Sequence, residues 1–240
     1  METLPAGAPL DDLLAVLPGD LLLVQLAAKW RADLPTYVAG GAVAMHHQFS
    51  DEPEWVVVGD PGSAYELAVA IGGDRAMSVP RATGERLVAD GWTEREGWAF
   101  RATRVAPGLP VEGAGWLPPE ADDEVRDLLG AGFPDASLAV GDPDVRRWAG
   151  VRRDGRLVSV AADATVTDSL GFLASIAAHP DARGTGAGAA VTAWAARVLV
   201  EEHGVCGLWL MSGNVVAAGL YTRLGFSDDH PMAVVTPPGA

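Results

Sequence analysis

The stretch His179–Val191, HPDARGTGAGAAV, constrains the fold of this chain more than any other. It follows the apolar run LGFLASIAA, which Pro180 ends. It opens a segment in which Val191, Trp194, Ala195, Val198 and Leu199 recur at helical spacing until Gly204 stops it. The order is strand, glycine loop, helix from about Gly186 to His203. Glycine costs backbone entropy, so three glycines in five positions need a reason. A loose turn is one. Bare backbone amides around an anion are the other: the first N–H groups of a helix have no internal partner, and the dipole adds roughly half a positive charge. A P-loop is excluded, because no lysine follows the glycines. A dinucleotide fingerprint needs an acid closing the next strand about 20 residues on. Glu201 and Glu202 lie at that distance but precede the strand.

The flanking segments alternate strand and helix signals. RRWAGVRRDGRLVSVAADATV reads as a hairpin turning at Asp154-Gly155. CGLWLMS reads as a buried strand, Val215 to Leu224 as a helix closed by Gly225, and FSDDHPMAVVTP as a last strand. PPEADDEVRDLLGAGFP predicts one or two short helices. Toward the N-terminus, LDDLLAVLPGDLLLVQLAAKW suggests helices broken at Pro18-Gly19. AVAMHHQFS, EWVVVGD and EGWAFRATRV read as strands, and SAYELAVAIG and ATGERLVADGW as helices. The Pro/Gly-rich APGLPVEGAGWLPPE marks a seam. Two α/β units are therefore expected, residues 1–105 and 118–240.

Composition bounds the function. The net charge of −15 repels nucleic acid and anionic membrane on average, so an anionic ligand needs local arginine and N–H donors. The single cysteine, Cys206, excludes an internal disulfide and a multi-cysteine metal site, and its apolar setting reads as packing rather than nucleophile. No apolar run reaches membrane-spanning length, and the start METLPAGAPLDD lacks a basic signal region. A cytoplasmic protein is expected.

A second motif narrows the choice. SGNVVAAGLYTRLGF spaces Asn214, Ala217, Tyr221, Gly225 and Phe226 as N-x-x-A-x-x-x-Y-x-x-x-G-F, and Asn214 is the only asparagine. With the R-x-x-G-x-G loop in front, residues 118 to 236 resemble the GNAT superfamily of acyl-coenzyme A-dependent N-acyltransferases. The resemblance implies a mixed, mostly antiparallel sheet flanked by helices, an α/β (α+β) fold, with the second α/β unit at the N-terminus. It implies acetyl-CoA or another acyl-CoA as co-substrate, and no metal. It assigns the backbone of Ile176, Ala177 and Ala178 to the pantetheine arm, with an N–H there for the acyl carbonyl. Arg183, Gly184, Thr185, Gly186, Ala187 and Gly188 fall on the pyrophosphate, and Asn214 on the pantetheine arm. It makes Tyr221 the acid that protonates the leaving thiolate; a phenol and a thiol lie close enough in pKa for that.

No glutamate stands in LGFLASIAAHP where many relatives carry a base; Asp163, Asp168, Ser175 and His179 are the candidates. Asp228, Asp229 and His230 read as a solvated turn or an acceptor-site lining. The N-terminal unit has the outline of a degenerate copy, with Gly91-Trp92 where Gly225-Phe226 stand, but carries neither motif. It is expected to serve as a lid, a dimer surface or part of the acceptor pocket. An unrelated N-terminal domain is one alternative, and the split arrangement of the glycine N-acyltransferase-like proteins is another. The expected partners are a small-molecule or peptide amine and a second copy in a homodimer. The competing reading is a non-catalytic acyl-CoA sensor.

Overall fold

Apolar runs of period two and of helical period alternate along the chain, and the backbone follows them. The computed structural model describes residues 2–4, 10–27, 33–47, 54–109 and 111–239. The elements run β1 (Glu2–Leu4), α1 (Leu10–Val16), α2 (Leu21–Ala27), β2 (Thr36–Ala39), β3 (Ala42–His47), β4 (Glu54–Gly59), α3 (Pro61–Ile71), β5 (Met77–Pro80), α4 (Arg81–Ala89) and β6 (Thr93–Thr103). They continue with β7 (Ala114–Trp116), α5 (Asp122–Gly132), β8 (Arg147–Arg153), β9 (Arg156–Asp163), β10 (Gly171–Ala178), α6 (Ala187–His203), β11 (Cys206–Met211), α7 (Val215–Arg223) and β12 (Asp228–Thr236). The tail of AVAMHHQFS, from Gln48, lies outside the described residues.

Two compact units result: Met1–Phe100 with Leu210–Val215 and Asp229–Ala240, and Arg101–Trp209 with Val216–Asp228. They do not divide at one point of the chain, because β12 pairs antiparallel with β5, Met232–Val235 against Met77–Pro80. The seam segment is not a bare linker. Its Ala114–Trp116 pairs with β8, and Arg197 donates to the Pro107 and Leu109 carbonyls.

In the first unit the order is β1-β2-β3-β4-β5-β12, with the first-unit part of β6 beside β12. The β2-β3-β4 meander is antiparallel; β4 and β5 are parallel, which requires the crossover that α3 supplies. Leu67, Val57, Met77, Leu87 and Val235 fill the core. In the second unit the order is β11-β10-β9-β8-β7. Its meander is antiparallel too, and β10 runs parallel to β11 through α6. α5 covers the sheet with Val125, Leu128 and Leu129 against Trp148, Val160 and Ala177, while Val191, Ala195 and Leu199 of α6 are buried. Among the described residues, no helix is long and apolar enough to cross a membrane.

Gly84 shows how tight the first core is. A Cβ on this α4 residue would lie 2.4 Å from the Ala233 Cβ of β12. Alanine gains about 1 kcal/mol of helix propensity over glycine. Overpacking costs about 1–3 kcal/mol, and a Cβ set rigidly on a strand cannot swing away. Gly84→Ala should therefore lower the urea midpoint rather than raise it; a raised midpoint would show that α4 is free to lift from the sheet.

Candidate active site

The glycine loop is reached through an irregular strand. β10 pairs with β9 at Ala174↔Ala162 and again at Ala177↔Val160, so Ser175 and Ile176 together face one residue of β9. This is a β-bulge, which bends a strand and re-aims its groups. Ser175 adopts φ +46°, costly for a residue other than glycine. Two bonds offset that cost: its buried hydroxyl donates to the Leu138 carbonyl (2.8 Å) and accepts from the Leu138 amide (3.0 Å). On the other edge the parallel pairing covers Gly171–Leu173 against Cys206–Leu208, while β10 runs on to Ala178.

Past β10, His179 caps the short 3-10 turn Pro180–Ala182, its ring accepting from the Asp181 amide (3.2 Å). Arg183, Gly184, Thr185 and Gly186 follow, all exposed. Gly184 and Gly186 have φ of +74° and +83°, so the turn itself demands them. Gly188 is different. Its φ is ordinary for a helix and a Cβ there would meet nothing within 4 Å, so neither backbone nor packing requires glycine. The N-cap of α6 is Gly186, which offers no side-chain cap. The counterpart in the first unit is filled: the Asp60 carboxylate caps α3 by accepting from Gly62 and Ser63. The Ser63 hydroxyl first, then the Gly62 amide, hold its carboxyl below the usual carboxylate range.

The second motif is a helix with an engineered-looking stop that has a simple physical cause. Asn214 stands exposed immediately before α7, which begins at Val215. At the other end, the Phe226 amide donates to the Tyr221 carbonyl (3.0 Å), the Gly225 amide donates to the Thr222 carbonyl (3.1 Å), and Gly225 has φ +88°. This is a Schellman motif, in which the residue after the glycine packs on the residue five before it. Here that pair is Phe226 on Tyr221, with ring centroids 5.8 Å apart. The spacing Y-x-x-x-G-F is thus the device that seats Tyr221. Its ring is buried. Burial pushes the phenol up to about 12.

Three of the four candidate bases have structural employment. Asp163, fully buried, takes Arg147 Nε at 2.8 Å and the Thr165 amide. Ser175 is spent on Leu138, and His179 on its turn. Asp168 is exposed, with its carbonyl 3.1 Å from His203 Nδ1. Asp228, Asp229 and His230 are not a turn but the first residues of β12. In the first unit, Asp229 and His230 line a cleft of about 630 Å³ together with Asp20, Asp60, Arg81 and Met232. Cys206 is fully buried, and burial, then the Asp163 carboxylate, push its thiol up. It stays protonated, as a packing residue should.

Sequence reasoning passed over Arg153. Its guanidinium donates to the Thr185 hydroxyl (2.6 Å) and carbonyl (3.1 Å), bracing the glycine loop from the β8–β9 turn. The signal was present: VRRDGRL packs three arginines into an acidic chain.

Comparison with known proteins agrees with this geometry. Residues 112–226 match the acetyltransferase (GNAT) family. A GCN5-related N-acetyltransferase from Kribbella flavida shares the fold at a TM-score of 0.60 and 21% identity, over 95% of this chain and 96% of its own. A Drosophila protein does so at 0.63 and 18%, over 100% and 99%. A GNAT-family acetyltransferase from Colwellia psychrerythraea does so at 0.60 and 12%, over 98% of both. No curated protein matches the sequence. The strand–glycine loop–helix unit, the bulged strand before it and the Schellman-stopped helix after it thus lie in one matched segment, and residues 112–226 are an acetyltransferase domain of the GNAT family.

Proposed function

We propose that this protein is an N-acyltransferase that moves an acetyl or other acyl group from acyl-CoA to the amine of a small molecule or peptide in the cytoplasm. The fold supports acyl transfer in general. One observation carries the finer reading. The N-terminus of α6 has no side-chain cap and carries in its first turn Gly188, a glycine with no conformational or packing need. An N-terminus of that kind suits a phosphate.

The residues divide the work as follows. The amides of Gly184 to Gly188, with Arg183, hold the pyrophosphate. The backbone of Ile176, Ala177 and Ala178 pairs with the pantetheine arm, and Asn214 adds a contact from the start of α7. The neutral amine nitrogen attacks the thioester carbon, the C–S bond breaks, and the sulfur takes the proton of the Tyr221 hydroxyl. The proton lost by the amine goes to water, and water returns a proton to the Tyr221 phenolate; Asp163, Ser175 and His179 are otherwise engaged, and Asp168 is exposed. The phenol is protonated at neutral pH at its ordinary pKa near 10, and burial moves it up to about 12, further from that of a thiol. The first unit does not bind coenzyme, because Asp60 occupies the corresponding helix end.

Gly188→Asp separates stability from binding. A carboxylate in the first turn of α6 favours the helix by about 0.3–1 kcal/mol, and the site has room for it. The variant should melt at or slightly above the wild-type temperature yet lose CoA binding in calorimetry. Unchanged CoA affinity in the folded variant would move the pyrophosphate elsewhere.

Tyr221→Phe should cut thiol release from acetyl-CoA by about 100- to 10,000-fold on any accepted amine, the usual worth of a positioned acid. CoA affinity should barely change. Full turnover would assign the proton to water.

The same variant has a signature in stability. Between pH 10, where a free phenol ionises, and about 12, the unfolded state loses this proton while the folded state keeps it. Stability therefore falls across that window, by about 1.4 kcal/mol per unit of pKa difference. Urea unfolding of Tyr221→Phe should show a shallower alkaline decline than wild type. Parallel declines would mean that the hydroxyl is already solvated in the folded protein.

A further inference from the structure

The β8–β9 hairpin ends on an electrostatic cost. Asp154 and Gly155, at φ +50° and +79°, make a tight two-residue turn, and the last cross-strand pair is Arg153 opposite Arg156. Like charges directly opposite destabilise a hairpin. The neighbours are neutralised: Arg152 holds Glu124 with two bonds of 2.7 Å, and Arg156 lies 3.5 Å from Asp181. Arg153 meets neutral oxygens of Thr185 only, and among the described residues no carboxylate pairs with it. Two of its five N–H donors are used. In a chain of net charge −15, an exposed, uncompensated guanidinium fixed against the glycine loop is a site for an anion.

We propose that Arg153 binds the 3′-phosphate of the coenzyme, as a recognition residue outside the two sequence motifs. This rests on the coenzyme reading above. The loop amides take the pyrophosphate, and the ligand's remaining phosphate is a monoester dianion that those amides do not serve. The guanidinium that reaches Thr185 from the hairpin presents its other N–H groups for it. Charge-assisted pairing of this kind gives discrimination as well as affinity.

Calorimetry with CoA and 3′-dephospho-CoA tests this. Wild type should prefer CoA by about tenfold or more. Arg153→Gln should lose most of that preference by weakening CoA alone, while Arg152→Gln, already paired with Glu124, should keep it. A thermal melt checks that both variants fold. If Arg153→Gln weakens both ligands by one factor, Arg153 only braces Thr185 and the proposal is wrong. It is equally wrong if wild type does not distinguish the ligands. Wild type binding neither ligand overturns the coenzyme reading itself.

Discussion

One extra residue in β10 organises the second unit. Ser175 and Ile176 share a single partner position on β9, and the strand bends there. The backbone accepts φ +46° at Ser175 because both hydrogen-bonding capacities of its hydroxyl close on Leu138. The parallel pairing with β11 covers only the residues before the bulge. The backbone beyond it, through Ala178, leads directly into the glycine loop and the N-terminus of α6. A regular strand would carry its ladder further and leave less main chain for a ligand.

The two helix starts after parallel strands show opposite solutions to one problem. The first N–H groups of any helix lack internal partners. In α3 the Asp60 carboxylate supplies them and the end is satisfied. In α6 a glycine supplies nothing, so the same donors stay available. The same principle, applied at the far end of α7, explains Tyr221. There Gly225 turns the chain so that Phe226 closes on the ring. Tyr221 is seated by a helix stop rather than by a charged neighbour.

Charge follows the same local logic. The chain as a whole repels anions, yet arginines gather beside the glycine loop from two elements distant in sequence, the hairpin and the loop itself. Most of the hairpin's charges are matched: Arg152 is held by Glu124, and Arg156 lies near Asp181. Such exposed pairs contribute little to stability. Their effect is to leave Arg153 as an unmatched charge at that position among the described residues.

The sequence by itself determined the elements with strong local signals. The α6 and α7 spans, the Asp154-Gly155 hairpin and the Pro18-Gly19 break were all legible, because periodicity, capping glycines and turn residues act within a few positions. So was the motif Y-x-x-x-G-F, whose contact lies inside one helix turn and its stop. The short strands β2, β5 and β7 were not, since three or four residues carry no period and are fixed only by pairing. The tertiary structure alone decided that β12 belongs with β5, that Asp163 and Ser175 are structural, and that Arg153 touches Thr185. Each depends on residues between 16 and about 150 positions apart meeting in space, and nothing in a local pattern encodes such a meeting.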